Sequence, residues 1–200
     1  MMTRIVGVDL AMRATGIARL TLDSSGAPAT YTTAVGRQGE LRATLAQRWQ
    51  RMRETTAAIV DEVLAATRAQ DPHLVVIEGP APSTGAQIGS FDTAHLWWSV
   101  VDRCLDEGIP VTVVAPSTLK AYATGNGRAK KPEIVAAVRK HYGDRFDVTS
   151  HDVADAVVLV AMGARALARP IDQLPEQHTR AMRTPKWPST TDPSEENARP

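Results

Sequence analysis

The sequence predicts an α/β fold in which a five-stranded mixed sheet is flanked by helices. Five short apolar runs rich in β-branched residues stand at 4–10, 15–22, 30–35, 74–78 and 111–115. The later runs are separated by stretches in which apolar residues recur at three- and four-residue steps, the period of an amphipathic helix. Short turns join the first three runs, so these can lie antiparallel, whereas strands that follow long helices are added by crossovers. Helices of that kind cover the faces of the sheet.

Taken in order, RIVGVDL (4–10) and TGIARLTL (15–22) form a hairpin, and TYTTAV (30–35) is a third strand. From Glu40, Leu41, Leu45, Trp49, Met52, Ile59 and Val63 keep a helical period among Arg42, Arg48, Arg51 and Arg53, which predicts a long helix ending near Gln70. Asp71-Pro72 stops it, and LVVIE (74–78) is a buried strand closed by Gly79-Pro80. A second helix is predicted over about 84–107, where Ile88, Phe91, His95, Trp98, Val101 and Leu105 can share a face and Gly108 is the stop. VTVVA (111–115) is the fifth strand. Pro116-Ser117 opens a short helix bearing Lys120, a Gly-rich loop covers 124–129, and 132–141 is helical. The last helix runs over about 150–167 from a Ser150 N-cap. Beyond Arg169 the periodicity fails. Residues 170–200 hold six prolines and scattered charges, a composition that predicts a flexible tail, in which Arg180, Arg183, Lys186 and Trp187 could touch nucleic acid.

Two hundred residues, 43% of them hydrophobic, suffice for one core of ordinary domain size, expected at 1–169. The single cysteine, Cys104, excludes an internal disulfide and a cysteine-based zinc cluster and suits a reducing compartment, with the cytoplasm as the default. No stretch has the pattern of an export signal or a membrane span, so no membrane partner is expected. The net charge of +1 is unevenly spread. Between Pro116 and Arg145, Lys120, Arg128, Lys130, Lys131, Arg139, Lys140 and Arg145 face only Glu133 and Asp144, which marks either a phosphate-facing strip or a solvated surface.

Four acids carry the chemistry. Asp9 closes the apolar run Ile5-Val6-Gly7-Val8, where a carboxylate is costly to desolvate unless something pairs with it, although it could simply initiate the turn. Glu78 ends LVVIE in the same manner, at the carboxyl end of a strand where α/β sites lie, or as a solvated terminus. Asp152 and Asp155 are spaced i, i+3 near a helix start, so both can project from one face; favourable interaction with the helix dipole is the competing explanation. Converging from two strands and a helix, four carboxylates cannot all stay ionised without cations. Hard oxygen donors suit Mg²⁺ or Mn²⁺, and two such ions would activate a water and stabilise the leaving oxygen of a phosphodiester. His151 could be a ligand, a general base, a phosphate contact or a plain first-turn residue.

These residues resemble the RuvC-type Holliday junction resolvases of the RNase H-like superfamily. GVDLAMRATGIA (7–18) is similar to the family's opening strand and turn, VVIEGP (75–80) to the segment of its second acid, and DVADAVVLVAMG (152–163) to its helix with paired acids. The resemblance spans about 1–168. PSTLKAYATGNGRAKK (116–131) resembles the segment in which two lysines contact DNA or support catalysis. It thereby implies such roles for Lys120 and Lys131, with Arg128 and Lys130 on the DNA backbone. The chain departs from the family at Gly79-Pro80-Ala81-Pro82, where members can carry an aromatic wedge. The resemblance also implies branched DNA as substrate and a homodimer, with the helix at 84–107 as its interface. Its setting is the cytoplasm of a bacterium, or of a host if the chain is phage-encoded. Other readings are an RNase H-like nuclease acting on RNA, a flap or fork debranching nuclease, a junction-binding protein without catalysis, and an actin-like ATPase. The last needs two related domains, and the chain has room for one.

Overall fold

Apolar strands flanked by turn residues assemble a single five-stranded sheet in the computed structural model, which describes residues 2–23, 28–40, 42–65, 74–80 and 90–188. Strands β1 (Thr3–Asp9), β2 (Thr15–Leu22) and β3 (Pro28–Val35) form an antiparallel meander. After helix α1 (Leu45–Leu64), strand β4 (Leu74–Glu78) pairs parallel with β1. Strand β5 (Val111–Val114) follows helix α2 (Ser90–Asp106) and pairs parallel with β4, giving the order β3-β2-β1-β4-β5. The chain continues through α3 (Pro116–Thr124), α4 (Lys131–Tyr142), α5 (His151–Ala166), the short α6 (Glu176–Thr179) and a 3-10 turn, Arg180–Arg183.

The two-residue period of the strands sorts the core into two layers. Val6, Val8, Val75 and Ile77 point to the face covered by α1 and α2, where they meet Ile59, Val63, Leu96 and Val100. Ile5, Leu74 and Val76 point to the face covered by α5, with α3 and α4 packed outside it. Helix α5 is apolar nearly all round, as a helix enclosed by a sheet and two other helices must be. It lies close on β1 and β2. A Cβ added to Gly7 would stand 2.2 Å from the Ala156 carbonyl oxygen, and one added to Gly16 only 2.0 Å from that of Asp152.

Both long helices differ in detail from the sequence expectation. Helix α1 begins at Leu45 behind a capping box in which Thr44 and Gln47 exchange hydrogen bonds; its expected last residues, 66–70, lie outside the described ones. Only its second half is buried, through Thr55, Ile59 and Val63, while Leu45 and Trp49 stay exposed. In α2 the residues grouped on one face do not meet the sheet together. Leu96, Val100, Val101 and Cys104 are buried, whereas Phe91 and Trp98 are 76% and 63% exposed and Leu105 is exposed too. The first part of that expected helix, including Ile88, lies outside the described residues.

The expectation of a flexible tail does not hold for 170–188. Ile171, Leu174, Met182 and Trp187 pack against the α5 side of the core. The Trp187 indole donates to the Met182 carbonyl at 2.9 Å, so this ring is seated on the protein and is not a free stacking surface. At the root of the segment, the Asp172 side chain is only 2% exposed. It accepts hydrogen bonds from Tyr122 Oη (2.8 Å) and Tyr142 Oη (2.6 Å) and forms an ion pair with Arg165. Such a network supplies the partners that a buried carboxylate requires. Residues 189–200 lie outside the described ones.

Candidate metal and nucleic-acid site

The register that pairs Val8 with Ile77 brings Asp9 alongside Glu78 at the carboxyl ends of two adjacent parallel strands. By the strand alternation that turns Ile5 and Val76 toward α5, Asp9 and Glu78 share the face on which α5 begins. Ser150 caps that helix, accepting from the Val153 amide at 3.2 Å, and the next turn carries Asp152 and Asp155. Gly16, paired directly with Asp9 across the hairpin, leaves space for the Asp152 backbone to come this near. The turn after Asp9 is held by buried Thr15, whose hydroxyl donates to the Ala11 carbonyl (2.8 Å) and accepts from the Ala11 amide (3.1 Å).

Asp9, Glu78 and Asp155 each offer a carboxylate oxygen within 4.8 Å of the others. Asp152 is not part of that triple, but its charge acts on both Asp9 and Asp155. Its Oδ1 lies 3.0 Å from His151 Nε2, and the rest of the His151 ring projects to solvent. Asp155 Oδ1 is buried and has no hydrogen-bond partner among the described residues.

Burial, then the hydrogen bond to and charge of Glu78, push the Asp9 pKa up to about 9. Burial also raises Glu78, although its hydrogen bond with Asp9 acts the other way. Asp155 is pushed up to about 7 by burial and then by the charge of Asp9. An orphaned buried oxygen beside carboxylates that repel one another fits a divalent cation, which would satisfy the oxygen and relieve the repulsion. The donor set is all hard oxygen, as Mg²⁺ or Mn²⁺ prefers.

The basic residues divide. Lys120 on α3 and Lys131 at the start of α4 both lie near enough to lower Glu78 and Asp155, and Lys131 also lowers Asp9. Arg128 and Lys130 are exposed on the loop leading to Lys131. Arg139 and Arg145 donate to the carbonyls of Val148 and Ile171.

One further residue touches the site. The Trp97 indole donates to the Glu78 carbonyl at 3.0 Å, fixing the backbone of the second acid. The sequence alone leaves Trp97, beside Trp98, as a core or dimer contact. The available signal was the stop of strand four at Gly79-Pro80, which leaves the preceding carbonyl needing a donor from elsewhere. Ala81-Pro82, where an aromatic wedge stands in some resolvases, lies outside the described residues.

No protein-family model matches the chain. Curated relatives do. The crossover junction endodeoxyribonuclease RuvC of Halorhodospira halophila is 30% identical over 176 residues, covering 85% of this chain and 95% of that protein. RuvC of Rhodopirellula baltica is 38% identical over 66 residues, 33% of this chain and 37% of that protein. Among solved structures, Thermus thermophilus RuvC superposes with a TM-score of 0.61 at 19% identity, covering 84% of this chain and 98% of that one. The same protein in complex with a Holliday junction substrate gives 0.62 at 16% identity, covering 86% and 99%. The fold is thus the RNase H-like fold of these resolvases.

Proposed function

Since the chain belongs to the RuvC family of crossover junction endodeoxyribonucleases, we propose that it resolves Holliday junctions in DNA recombination and repair by metal-dependent phosphodiester hydrolysis. The observation that carries this reading is the meeting of Asp9, Glu78 and Asp155 oxygens within 4.8 Å of one another, with a buried Asp155 oxygen that has no partner among the described residues. Asp9, Glu78, Asp152 and Asp155 are the proposed holders of two Mg²⁺ or Mn²⁺ ions. Bound there, the cations would supply an activated water and charge stabilisation at the leaving oxygen.

The protein's own groups account for the rest. Lys131 would stabilise negative charge growing on the scissile phosphate, since its ammonium already acts on three of the acids. Lys120, Arg128, Lys130 and Lys131 would contact DNA phosphates.

Symmetric cuts across a four-way junction call for two active sites, and the proposed assembly is a homodimer through α2. Phe91, Trp98 and Leu105 form its exposed face, larger in apolar character than a solvated helix needs. The proposed catalytic unit spans 1–169, the proposed setting is a bacterial cytoplasm or a phage-infected host, and no membrane partner is proposed; no helix among the described residues is long and apolar enough to cross a membrane.

Incubating the protein with labelled four-way junction, flap, linear duplex and RNA/DNA hybrid in Mg²⁺ or Mn²⁺ tests the substrate. Preferential cutting of the junction is expected. Preference for the hybrid would move the enzyme to the ribonuclease branch, and preference for flaps would make it a general debranching nuclease.

A further inference from the structure

The C-terminal segment is joined to the basic loop as well as to the core. Helix α3, which presents Lys120, ends at Gly125 in the left-handed conformation (φ 77°). The last carbonyls of a helix have no partner within it and must find one elsewhere. Here the Ala121 carbonyl accepts from the Gly125 amide (2.8 Å) and the Lys120 carbonyl from the Thr124 hydroxyl (2.8 Å). Two further acceptors at this end of the helix are met from α6. His178 Nδ1 donates to the Tyr122 carbonyl at 2.9 Å, and Gln177 Nε2 donates to the Gly125 carbonyl at 3.2 Å. The fit is close, because a Cβ on Gly125 would stand 3.1 Å from both Gln177 Nε2 and His178 Nε2.

We infer that Gln177 and His178 are positioning residues, which hold the end of α3 and the loop after it so that Lys120 and Lys131 stay over the carboxylate cluster. This rests on the proposed nuclease function. From the two α6 contacts a chain of hydrogen bonds runs along the loop. Thr124 Oγ1 accepts from the Asn126 amide (3.1 Å), Asn126 Oδ1 from the Arg128 amide (3.0 Å), and Glu133 Oε2 from the Lys130 amide (2.7 Å), one residue before Lys131. Behind α6 the segment is itself fixed, since Asp172 is clasped by Tyr122, Tyr142 and Arg165. The loop is therefore bounded on one side by the core and on the other by α6. Without Gln177 and His178 its backbone would be free to swing while both lysines remained chemically intact.

The test uses the full-length protein with the double variant Gln177→Ala/His178→Ala and the single variant His178→Gln, whose amide can still donate to Tyr122. Three readouts are taken: single-turnover junction cleavage in Mg²⁺, junction affinity in Ca²⁺, and amide hydrogen exchange. The double variant is expected to cut about tenfold more slowly, with affinity changed by less than about twofold, as displacement of catalytic groups without loss of contacts implies. Exchange should quicken at amides 123–130 and stay unchanged in β1, β4 and α5, and His178→Gln should recover most of the rate. Wild-type rates in the double variant would overturn the inference, as would unchanged exchange at 123–130. So would a loss of activity accompanied by faster exchange throughout the sheet, which marks general destabilisation. Should the wild-type protein leave junctions uncut, the substrate assignment falls and the exchange measurement alone decides the role of α6.

Discussion

Asp155 and Asp9 stand 9% exposed at the end of the sheet with pKa values pushed up to about 7 and about 9 by burial and by neighbouring acids. Their ordinary value is 3.8, so across the interval above it the folded protein binds more protons than the unfolded chain. Stability of the metal-free protein is therefore expected to fall as pH rises from about 4 toward 9, the reverse of the trend for salt-bridged carboxylates. Urea midpoints in EDTA across that range check the sign, and Mn²⁺ should restore stability most at the alkaline end, where cations no longer compete with protons. Replacing Asp155 with Asn removes one of the repelling charges. We expect metal-free stability at alkaline pH equal to or above that of the wild type, a lost thermal shift on adding Mn²⁺, and no cleavage. Lys131→Ala leaves the acids in place and is expected to slow single-turnover cleavage by about 10²-fold, the usual scale for one charge-stabilising donor.

Among the elements, β1, β4 and α5 bring the acids together, and each was legible in the sequence. An acid ending an apolar strand conflicts with its surroundings, and Asp9 and Glu78 both announce that conflict. The i, i+3 pair Asp152 and Asp155 follows a serine cap that also reads directly. Less legible was what lets the helix reach the strands. Gly16 matters because it faces the Asp152 carbonyl across 2.0 Å of would-be Cβ contact, a relation that exists only after folding. Gly16→Ala is expected to displace the start of α5, costing about 1–3 kcal/mol of stability by overpacking and most of the cleavage activity. Denaturant midpoints and cleavage rates measured together check this. The Trp97 bond to the Glu78 carbonyl was hidden for the same reason, since it joins residues nineteen apart. Trp97→Phe keeps most of the packing and is expected to cost about 1 kcal/mol of stability, with a larger proportional loss of cleavage rate.

At the scale of the molecule, composition misled over 170–188. Proline and scattered charge suggest a chain unable to bury itself, but the segment needs no core of its own. It inserts single residues, Ile171, Leu174, Met182 and Trp187, into the surface of a core built by others. Asp172 finds partners on α3, α4 and α5 that no local pattern reveals. Asp172→Ala would leave Arg165 and two tyrosine hydroxyls without their acceptor, and an expected loss of about 3–5 kcal/mol should appear in thermal unfolding. On the opposite side of the sheet, the exposed face of α2 is where two copies are proposed to meet. Trp98→Glu is expected to give a folded monomer by light scattering, where the wild type gives a dimer mass. The most direct test of the whole account is cleavage of a labelled four-way junction by the wild type and by Asp155→Asn, each in Mg²⁺ and in EDTA. Paired, symmetric cuts by the wild type in Mg²⁺ alone are expected; equal cutting by the variant, or cutting that persists in EDTA, would contradict a carboxylate-held metal site.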